Sequence, residues 1–443
     1  MGAHFNLRKG EEAWFGLGYG ERPLGARAAE ELLAEVLRFW KSWAHRCSGK
    51  SCVVEEPWHD LVVRSGLVLK LLADPDSGAI AAAATTSLPE QPGGPRNWDY
   101  RYAWVRDASF TDQALYHLGH RDEARSFRRW AARIAGGAHD PANLQILYGL
   151  HGETDLRERE LDHLAGYRNS RPVRIGNGAT RQKQLDIFGE LLNALYDTTR
   201  RGETFPRERW PLARGIVEHV RAVRDTEDSG IWENRGGPRH FVYSKLMCWV
   251  ALDRGIRIAR EHGYDTPLPA WERTCDEVRR AIIGRGYDEE LGSFVQSFGS
   301  KTLDACALLI PSTGFLPARD GRVQSTIEVV KERLVVKGYL VRRYDGDDGL
   351  PGGEGCFVLC SFWLVKALAL SGRTAEAERI FSCVLEHASP LGLLSEEIAP
   401  ETGRLTGNFP QAFSHIGLIN SALYLAWAKG RTTAPGLAGT REG

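Results

Sequence analysis

The sequence predicts an all-α fold in which helical hairpins close into a ring. Helical periodicity recurs along most of the 443 residues, whereas strand-like alternation is confined to short pieces such as residues 338–343. The connections between the helical stretches are of two kinds, either brief or long and rich in glycine, aromatic residues and carboxylates. This alternation is typical of paired helices with the long loops gathered at one end. A solenoid of helical repeats is the alternative, but the chain lacks the fixed-period similarity that a solenoid usually shows.

The elements follow one another in a simple order. The first 24 residues are aromatic and glycine-rich, a composition that suits one or two short strands. Apolar residues at three- and four-residue steps predict an amphipathic helix over residues 26–47. The later helical patterns cover residues 58–72, 78–86, 108–118, 121–135, 183–200, 209–225, 242–262, 269–284, 301–309, 323–336, 356–371, 374–387 and 411–428.

Composition excludes several classes of partner. Lys plus Arg equals Asp plus Glu, at 57 each, so we expect no nucleic-acid or anionic-membrane partner. The apolar runs are too short to cross a bilayer, and the N-terminus lacks the apolar core of a secretion signal. The eight scattered cysteines indicate buried thiols in a reducing compartment rather than a disulfide framework, which predicts a cytoplasmic protein.

The stretch from Arg96 to Asp107 interleaves four aromatic and five charged residues without a helical or strand period. Aromatic side chains offer flat apolar faces, and Arg and Asp offer directional hydrogen bonds. That mixture suits a pocket for a flat, hydroxyl-rich molecule such as a sugar. The alternative is a structural loop in which Asp107 caps the helix that begins near Ala108.

Loop carboxylates are the best candidates for chemistry. Glu233 follows Trp232, and an acid packed beside an indole has its charged form disfavoured, which suits a general acid. Glu396 and Glu397 form a second acidic pair on a later long loop. Solvated loop acids are the alternative at both places. The acidic loop over residues 342–355 lacks the spacing of an EF-hand or a P-loop, so we predict no metal and no cofactor.

Nine segments, in their order along the chain, resemble glycoside hydrolase family 15, the glucoamylase and bacterial trehalase family. Together they span most of residues 87–425. The segments are Ser87–Glu90, Arg96–Ser109, Pro172–Asn177, Gln184–Glu190, Gly230–Glu233, Arg239–Lys245, Asp348–Gly355, Ser395–Glu397 and Gly407–His415.

The resemblance implies an (α/α)6 barrel with its site among the long loops. It implies Glu233 as general acid and Glu396 as general base of an inverting reaction, with Glu397 left open as the base. Residues implied in sugar binding are Tyr100, Trp104, Arg106, Asp107, Trp232 and Arg343. The expected activity is exo-acting release of β-glucose from trehalose or from malto- or isomalto-oligosaccharides. A helical-barrel disaccharide phosphorylase and a non-catalytic sugar-binding scaffold are the alternatives.

The resemblance also implies a domain order that departs from the family at its start. Bacterial relatives carry an N-terminal β-sandwich, of which residues 1–24 would be a short remnant. We expect linker helices over residues 25–86, the barrel over residues 87–430 and a flexible tail over residues 431–443. Uncovered apolar surface on Trp14, Phe15 and Tyr19 would need another cover, and a homo-oligomer partner would provide it.

Overall fold

The computed structural model describes residues 4–15, 26–44, 54, 56–137, 140–200 and 204–432. The chain divides into two compact units, Met1–Ser51 and Cys52–Gly443. None of the helices in these described ranges is long and apolar enough to span a membrane. Six cysteines within them are free thiols, and Cys47 and Cys52 lie outside. The predicted tail beyond residue 432 also lies outside the described residues.

The first unit contains one long helix, α1 (Ala26–Ala44). Residues 4–15 form neither helix nor strand, and the rest of the predicted β-rich segment lies outside the described residues. Trp14 is 42% and Phe15 is 71% exposed. Tyr19 is not among the described residues. An oligomer that covers this surface therefore stays a prediction.

The second unit is built from twelve α-helices in its described part. They are α2 (His59–Leu72), α3 (Ala108–His117), α4 (Arg121–Gly137), α5 (Asp186–Arg200), α6 (Trp210–Val223), α7 (Val242–His262), α8 (Leu268–Gly286), α9 (Ile310–Thr313), α10 (Gly321–Arg333), α11 (Val358–Leu370), α12 (Thr374–Leu385) and α13 (Ala412–Ala428). A 3₁₀ turn, Ala305–Leu309, leads directly into α9.

These helices form a closed double ring. The inner ring runs through α3, α5, α7, the 305–313 segment, α11 and α13, and α13 returns to contact α3. Each inner helix packs against the outer helix of its own pair, α3 on α4, α5 on α6, α7 on α8, the 305–313 segment on α10, α11 on α12 and α13 on α2, and some outer helices also contact a second inner helix, as α6 contacts α7. This is the predicted barrel of six helical hairpins. The helix α2, which we predicted among the linkers, packs on the last inner helix.

Burial explains which helices lie inside. Every residue of α11 is buried, as are Ala412 to Ala426 of α13, because inner helices contact neighbours on all sides. The outer helix α6 buries only one stripe of apolar residues. The inner helices begin after the long loops, so those loops gather at one end of the barrel.

The strands of the described chain are all two residues long. They are β1 (Ala103–Trp104), β2 (Leu147–Tyr148), β3 (Arg159–Glu160), β4 (Arg174–Ile175), β5 (Tyr287–Asp288), β6 (Ser293–Phe294), β7 (Val335–Val336), β8 (Leu340–Val341), β9 (Cys356–Phe357), β10 (Glu397–Ile398) and β11 (Leu405–Thr406). Most pair as antiparallel hairpins in the loops. In the three-stranded sheet, β10 lies between β9 and β11 and places Glu397 opposite Phe357 and Thr406.

The helix predicted over residues 78–86 is wrong. This alanine-rich segment is extended and runs beside the aromatic stretch, where Ala82 N donates to Tyr102 O and Ala83 N donates to Tyr100 O, each at 2.8 Å. Small side chains let the two backbones approach, and tertiary pairing overrides the helical preference of alanine. The pairing holds the aromatic stretch at the loop end of the barrel.

Candidate active site

Two adjoining cavities lie among the long loops. The first cavity extends to Asp107 and Phe413, and the second extends to Glu90 and Leu350. Seven of the eight predicted site residues line the first cavity, and the eighth, Glu396, does not. Four residues line both cavities: Tyr100, Trp232, Glu233 and Arg343. The predicted residues are thus gathered around the junction of two compartments.

Glu233 lies at this junction with its carboxylate held in place. Its Oε1 accepts hydrogen bonds from Trp104 Nε1 at 2.9 Å and from Arg106 at 3.2 Å. Its backbone φ is 55°, a value rarely adopted outside glycine. Its carbonyl accepts a hydrogen bond from Gln182 Nε2 at 3.1 Å. The turn that presents Glu233 is therefore fixed on both its side-chain and main-chain sides.

The indole that hydrogen-bonds Glu233 is that of Trp104, whereas the indole of Trp232 hydrogen-bonds Asp304. Trp232 donates from Nε1 to Asp304 Oδ1 at 3.0 Å, and its ring packs edge-on against Phe357. Trp232 still lines both cavities. Trp232, the neighbour of Glu233 in the chain, therefore lines the cavities. The indole that contacts Glu233 is that of Trp104, which lies 129 positions earlier in the chain.

Arg106 and Asp107 form a buried pair at the base of the first cavity. Arg106 donates to Ile231 O at 2.6 Å and to Asp107 Oδ1 at 3.3 Å. Burial raises the pKa of Asp107 to about 7, and the Arg106 charge opposes that rise. Asp107 stands at the N-cap position of α3, but its side chain makes no capping hydrogen bond. Its carboxylate is instead committed to Arg106.

Glu396 is fully buried, and its two oxygens differ. Its Oε2 accepts a hydrogen bond from Asn408 N at 3.0 Å, and its Oε1 has no partner among the described residues. Burial raises the pKa of Glu396, while the hydrogen bond from Asn408 N, the Arg343 charge and the nearby Tyr100 hydroxyl oppose that rise. Tyr100 lines both cavities and connects them to this carboxylate.

Glu397 is buried in a different environment. Its Oε2 accepts a hydrogen bond from Gly355 N at 2.6 Å, and its Oε1 lies 3.4 Å from an Arg343 nitrogen. Burial, together with the neighbouring Glu90 and Glu354 carboxylates, raises its pKa well above the usual range. Neither Glu396 nor Glu397 lines either cavity. The two acids therefore differ in their hydrogen-bond and charge partners and not in their access to the cavities.

Glu90 is a site residue to which sequence reasoning assigned no role. It lines the second cavity, where its Oε1 accepts a hydrogen bond from Trp98 Nε1 at 2.8 Å. Its Oε2 lies 3.4 Å from Arg343, and burial raises its pKa to about 8. The available signal was its place at the end of the first motif, Ser87–Glu90. No local pattern indicates its contact with Arg343, which lies 253 positions later in the chain.

A cluster of three acids, two buried and one half-buried, lies beside the second cavity. Carboxylate oxygens of Glu90, Glu354 and Glu397 come within 4.8 Å of one another. The guanidinium groups of Arg96 and Arg343 lie among them, with Arg96 3.0 Å from Glu354 and Arg343 in direct contact with it. Two fixed cations already supply the positive charge that a metal would bring, so the cluster does not suit a metal ion.

Sequence comparison places this site in a known family. Residues 56–375 and 369–423 match the profile of Glycosyl hydrolases family 15. The chain belongs to this family. The resemblance carried by the ordered motifs is therefore confirmed.

Three relatives illustrate the similarity. The chain is 41% identical to a protein named Trehalase from Mycobacterium tuberculosis over 98% of this chain and 64% of that protein. It is 39% identical to the Trehalase of Thermoplasma acidophilum over 88% of this chain and 66% of that protein. Its fold matches a bacterial glucoamylase solved in complex with acarbose, at 15% identity with a TM-score of 0.70, over 90% of this chain and 60% of that chain. The chain thus spans slightly less than two thirds of the length of these proteins.

Proposed function

We propose that this chain is an inverting α-glucoside hydrolase with Glu233 as general acid and Glu396 as general base. The observation that carries the proposal is the contrast between the two carboxylates. One is held at the junction of two cavities, and the other is anchored through one oxygen, while its second oxygen has no partner in the described chain. Inverting glycosidases need this division, because one acid protonates the leaving oxygen while the other activates water.

The position of Glu233 supports the acid role. A glucosyl ring in the first cavity and a leaving group in the second would place the scissile bond at the residues that line both. Glu233 is the carboxylate among those four residues. It would donate its proton to the glycosidic oxygen as the bond breaks. The hydrogen bonds from Trp104 and Arg106 keep its carboxyl aimed at that oxygen.

The free oxygen of Glu396 supports the base role. Asn408 N holds Oε2, so Oε1 is left to accept a proton from a water molecule. The Tyr100 hydroxyl and the Arg343 charge favour the ionised carboxylate against the desolvation that disfavours it. These two groups thus limit the rise in the pKa of Glu396 that burial causes.

Recognition of the glucosyl ring would fall to Arg106, Asp107 and Arg343. Buried charged groups hydrogen-bond strongly to hydroxyls because water does not compete with them. Arg343 has a buried Nε without a partner in the described chain, which leaves a donor for a sugar hydroxyl. Trp104 and Trp232 would form apolar walls. Terminal residues of an α-glucoside would be bound in this way, which implies exo-acting release of glucose.

The names of the relatives favour trehalose as substrate. Both sequence relatives described above are called Trehalase, and malto- and isomalto-oligosaccharides are the next candidates. A panel of trehalose, maltose, isomaltose, kojibiose and starch, with enzymatic detection of glucose, tests the proposal. Nuclear magnetic resonance before mutarotation should show equal amounts of β-glucose and α-glucose from trehalose, because the leaving ring keeps its own α-anomeric bond. Release of α-glucose alone would contradict inversion, and no release from any substrate would contradict the hydrolase.

A further inference from the structure

We propose that Asp304 is a positioning residue for the general acid, and that it acts by fixing the indole of Trp232 beside Glu233. The inference rests on the proposed function and adds a residue that the proposed reaction does not include. Asp304 is buried and lines neither of the two cavities that meet at Glu233. Its effect on a bound sugar would therefore pass through a neighbouring side chain.

Trp232 and Glu233 belong to one tight turn. Glu233 N donates a hydrogen bond to Gly230 O at 3.2 Å, and φ is 68° at Gly230 and 55° at Glu233. A residue other than glycine keeps a positive φ only where its surroundings hold it there. Trp232 is the side chain next to this strained residue, so a displaced indole would change the backbone that presents the Glu233 carboxylate.

Packing alone does not fix the Trp232 ring. Besides the two cavities at Glu233, it lines a third cavity together with Gly230, Ile231 and Asp304. The edge of the ring packs against Phe357, with the ring centres 5.4 Å apart. A side chain beside open space has fewer packing contacts to hold it. A directional hydrogen bond is therefore needed to fix the orientation of the indole.

Asp304 provides that hydrogen bond as an acceptor surrounded by donors. Trp232 Nε1 lies 3.0 Å from its Oδ1 and 3.1 Å from its Oδ2. Gln296 Nε2 donates to Oδ2 at 3.3 Å, and Cys306 N donates to Oδ1 at 2.9 Å. Because all three nitrogens are donors, an ionised carboxylate, which only accepts hydrogen bonds, suits this position. Burial raises the pKa of Asp304, and these hydrogen bonds oppose that rise.

The backbone around Asp304 also holds a second wall residue of the first cavity. Asp304 pairs with Tyr344 in an antiparallel bridge, and Ala305 N donates to Arg343 O at 2.8 Å. The guanidinium of Arg343 lies 5.7 Å from the centre of the Trp232 ring. The side chain of Asp304 thus holds Trp232, and its backbone holds the strand of Arg343. One buried residue sets the spacing between the two.

Asp304→Asn is the variant that tests this role. Asparagine caps a helical turn as well as aspartate does, so the hydrogen bond from Cys306 N can be kept. The amide NH2 group, however, would face a donor nitrogen of Trp232 or Gln296 and cannot accept from it. On the panel substrate that the unmodified chain cleaves fastest, kcat should fall at least about tenfold while KM changes less than about threefold, because a small displacement of the acid is costly.

A double-mutant cycle tests whether the effect passes through the indole. Trp232→Phe keeps an aromatic wall and removes the N–H group that Asp304 binds. Each single variant removes the same hydrogen bond, so each should lose about tenfold in kcat. Adding Asp304→Asn to Trp232→Phe should then change kcat by less than about twofold. Losses that multiply in the double variant would overturn the inference while the proposed function stands.

Asp140→Asn is the matched control. Asp140 also caps a short 3₁₀ turn, by accepting a hydrogen bond from Ala142 N at 2.9 Å, and it lines neither cavity. This variant should keep the full kcat. An unchanged kcat in Asp304→Asn would overturn the inference alone. Should Asp304→Asn not fold, a full kcat in Trp232→Phe would overturn it instead. Failure of the unmodified chain to cleave any substrate of the panel would overturn the proposed function as well.

Discussion

Glu396 and Glu397 are neighbours in the chain, yet their carboxylates have different surroundings. In both residues Oε1 lacks a hydrogen-bond partner among the described residues and Oε2 accepts a hydrogen bond from a backbone N–H, but Glu397 Oε1 also lies 3.4 Å from an Arg343 nitrogen. From the sequence the two acids are equivalent, because the neighbouring residues do not indicate the direction in which each side chain points. Only the extended backbone and the loops packed on it separate their roles.

We expect Glu396→Gln to lower kcat on the preferred disaccharide by roughly 10²–10⁴-fold, because an amide does not accept the proton of water. Glu397→Gln should retain much more activity and show its effect mainly in thermal stability. Steady-state kinetics and thermal melts of both variants check this. A larger kcat loss in Glu397→Gln than in Glu396→Gln would assign the base to the other acid.

Asp186 is a buried acid whose cost to stability depends on pH. It is fully buried, and neither carboxylate oxygen has a hydrogen-bond partner in the described chain. Burial raises its pKa from 3.8 to about 8, although Arg106 opposes the shift. Between these values the folded state holds a proton that the unfolded state has released. The folded state is therefore progressively destabilised as pH rises through this window.

Asp186→Asn should remove that pH-dependent destabilisation. At pH 8 the variant should be more stable than the unmodified chain by about 1–3 kcal/mol, and the gain should shrink towards pH 4. Urea denaturation at a series of pH values gives the free energy of unfolding directly. A gain that is the same at pH 4 and pH 8 would show that the titration of Asp186 is not its cause.

Among the elements, the helices were predicted well and the loop segments were not. The predicted range 242–262 coincides with α7, since its apolar periodicity is written locally in the chain. The failure at residues 78–86 arose because these alanines pair with the aromatic stretch, a contact that local propensity does not encode. The loop that follows Glu396 was likewise recognised as a motif without its geometry.

The backbone of Gly407 lies against the carboxylate of Glu396 and helps to fix its position. Its φ is 73°, and a Cβ atom there would lie 2.6 Å from Glu396 Oε2. Gly407→Ala should therefore displace the carboxylate and lower kcat by at least about tenfold, because small displacements of a catalytic group are costly. Thermal melts and kinetics of the purified variant separate folding from catalysis.

The matched control is Gly430→Ala. Gly430 has a nearly identical φ of 74°, but a Cβ atom there would meet no atom of the described residues within 4 Å. Both substitutions strain the backbone by about 1 kcal/mol, so both should lower the melting temperature slightly. Full activity in Gly407→Ala would show that Glu396 does not need its present position.

At the scale of the whole molecule, His415 helps to close the barrel. Its Nε2 accepts a hydrogen bond from Leu394 N at 3.1 Å, and its Nδ1 hydrogen-bonds Ser65 Oγ at 2.9 Å. It thereby joins α13 to α2 and to the chain that enters Glu396. Burial lowers the pKa of His415 to about 3, so the folded protein holds it neutral.

The acid sensitivity of the fold should depend on His415. Below pH 6.5, the pKa of this histidine in the unfolded state, the unfolded state binds a proton that the folded state does not bind. His415 therefore lowers the stability of the fold as the pH falls towards 3. The stability advantage of the unmodified chain over His415→Gln should shrink by about 2–3 kcal/mol between pH 7 and pH 4. Chemical denaturation at both pH values measures it. An advantage that does not change with pH would contradict the assignment.

The sequence by itself determined the all-helical class, the ends of most helices and the residue types of the site. Helical periodicity and the order of the motifs can be read from the sequence without knowledge of the fold. Tertiary structure decided that α2 completes the outer ring, that Trp104 rather than Trp232 binds Glu233, and that Glu396 differs from Glu397. Each of these depends on contacts between segments far apart in the chain, and such contacts exist only once the barrel has closed.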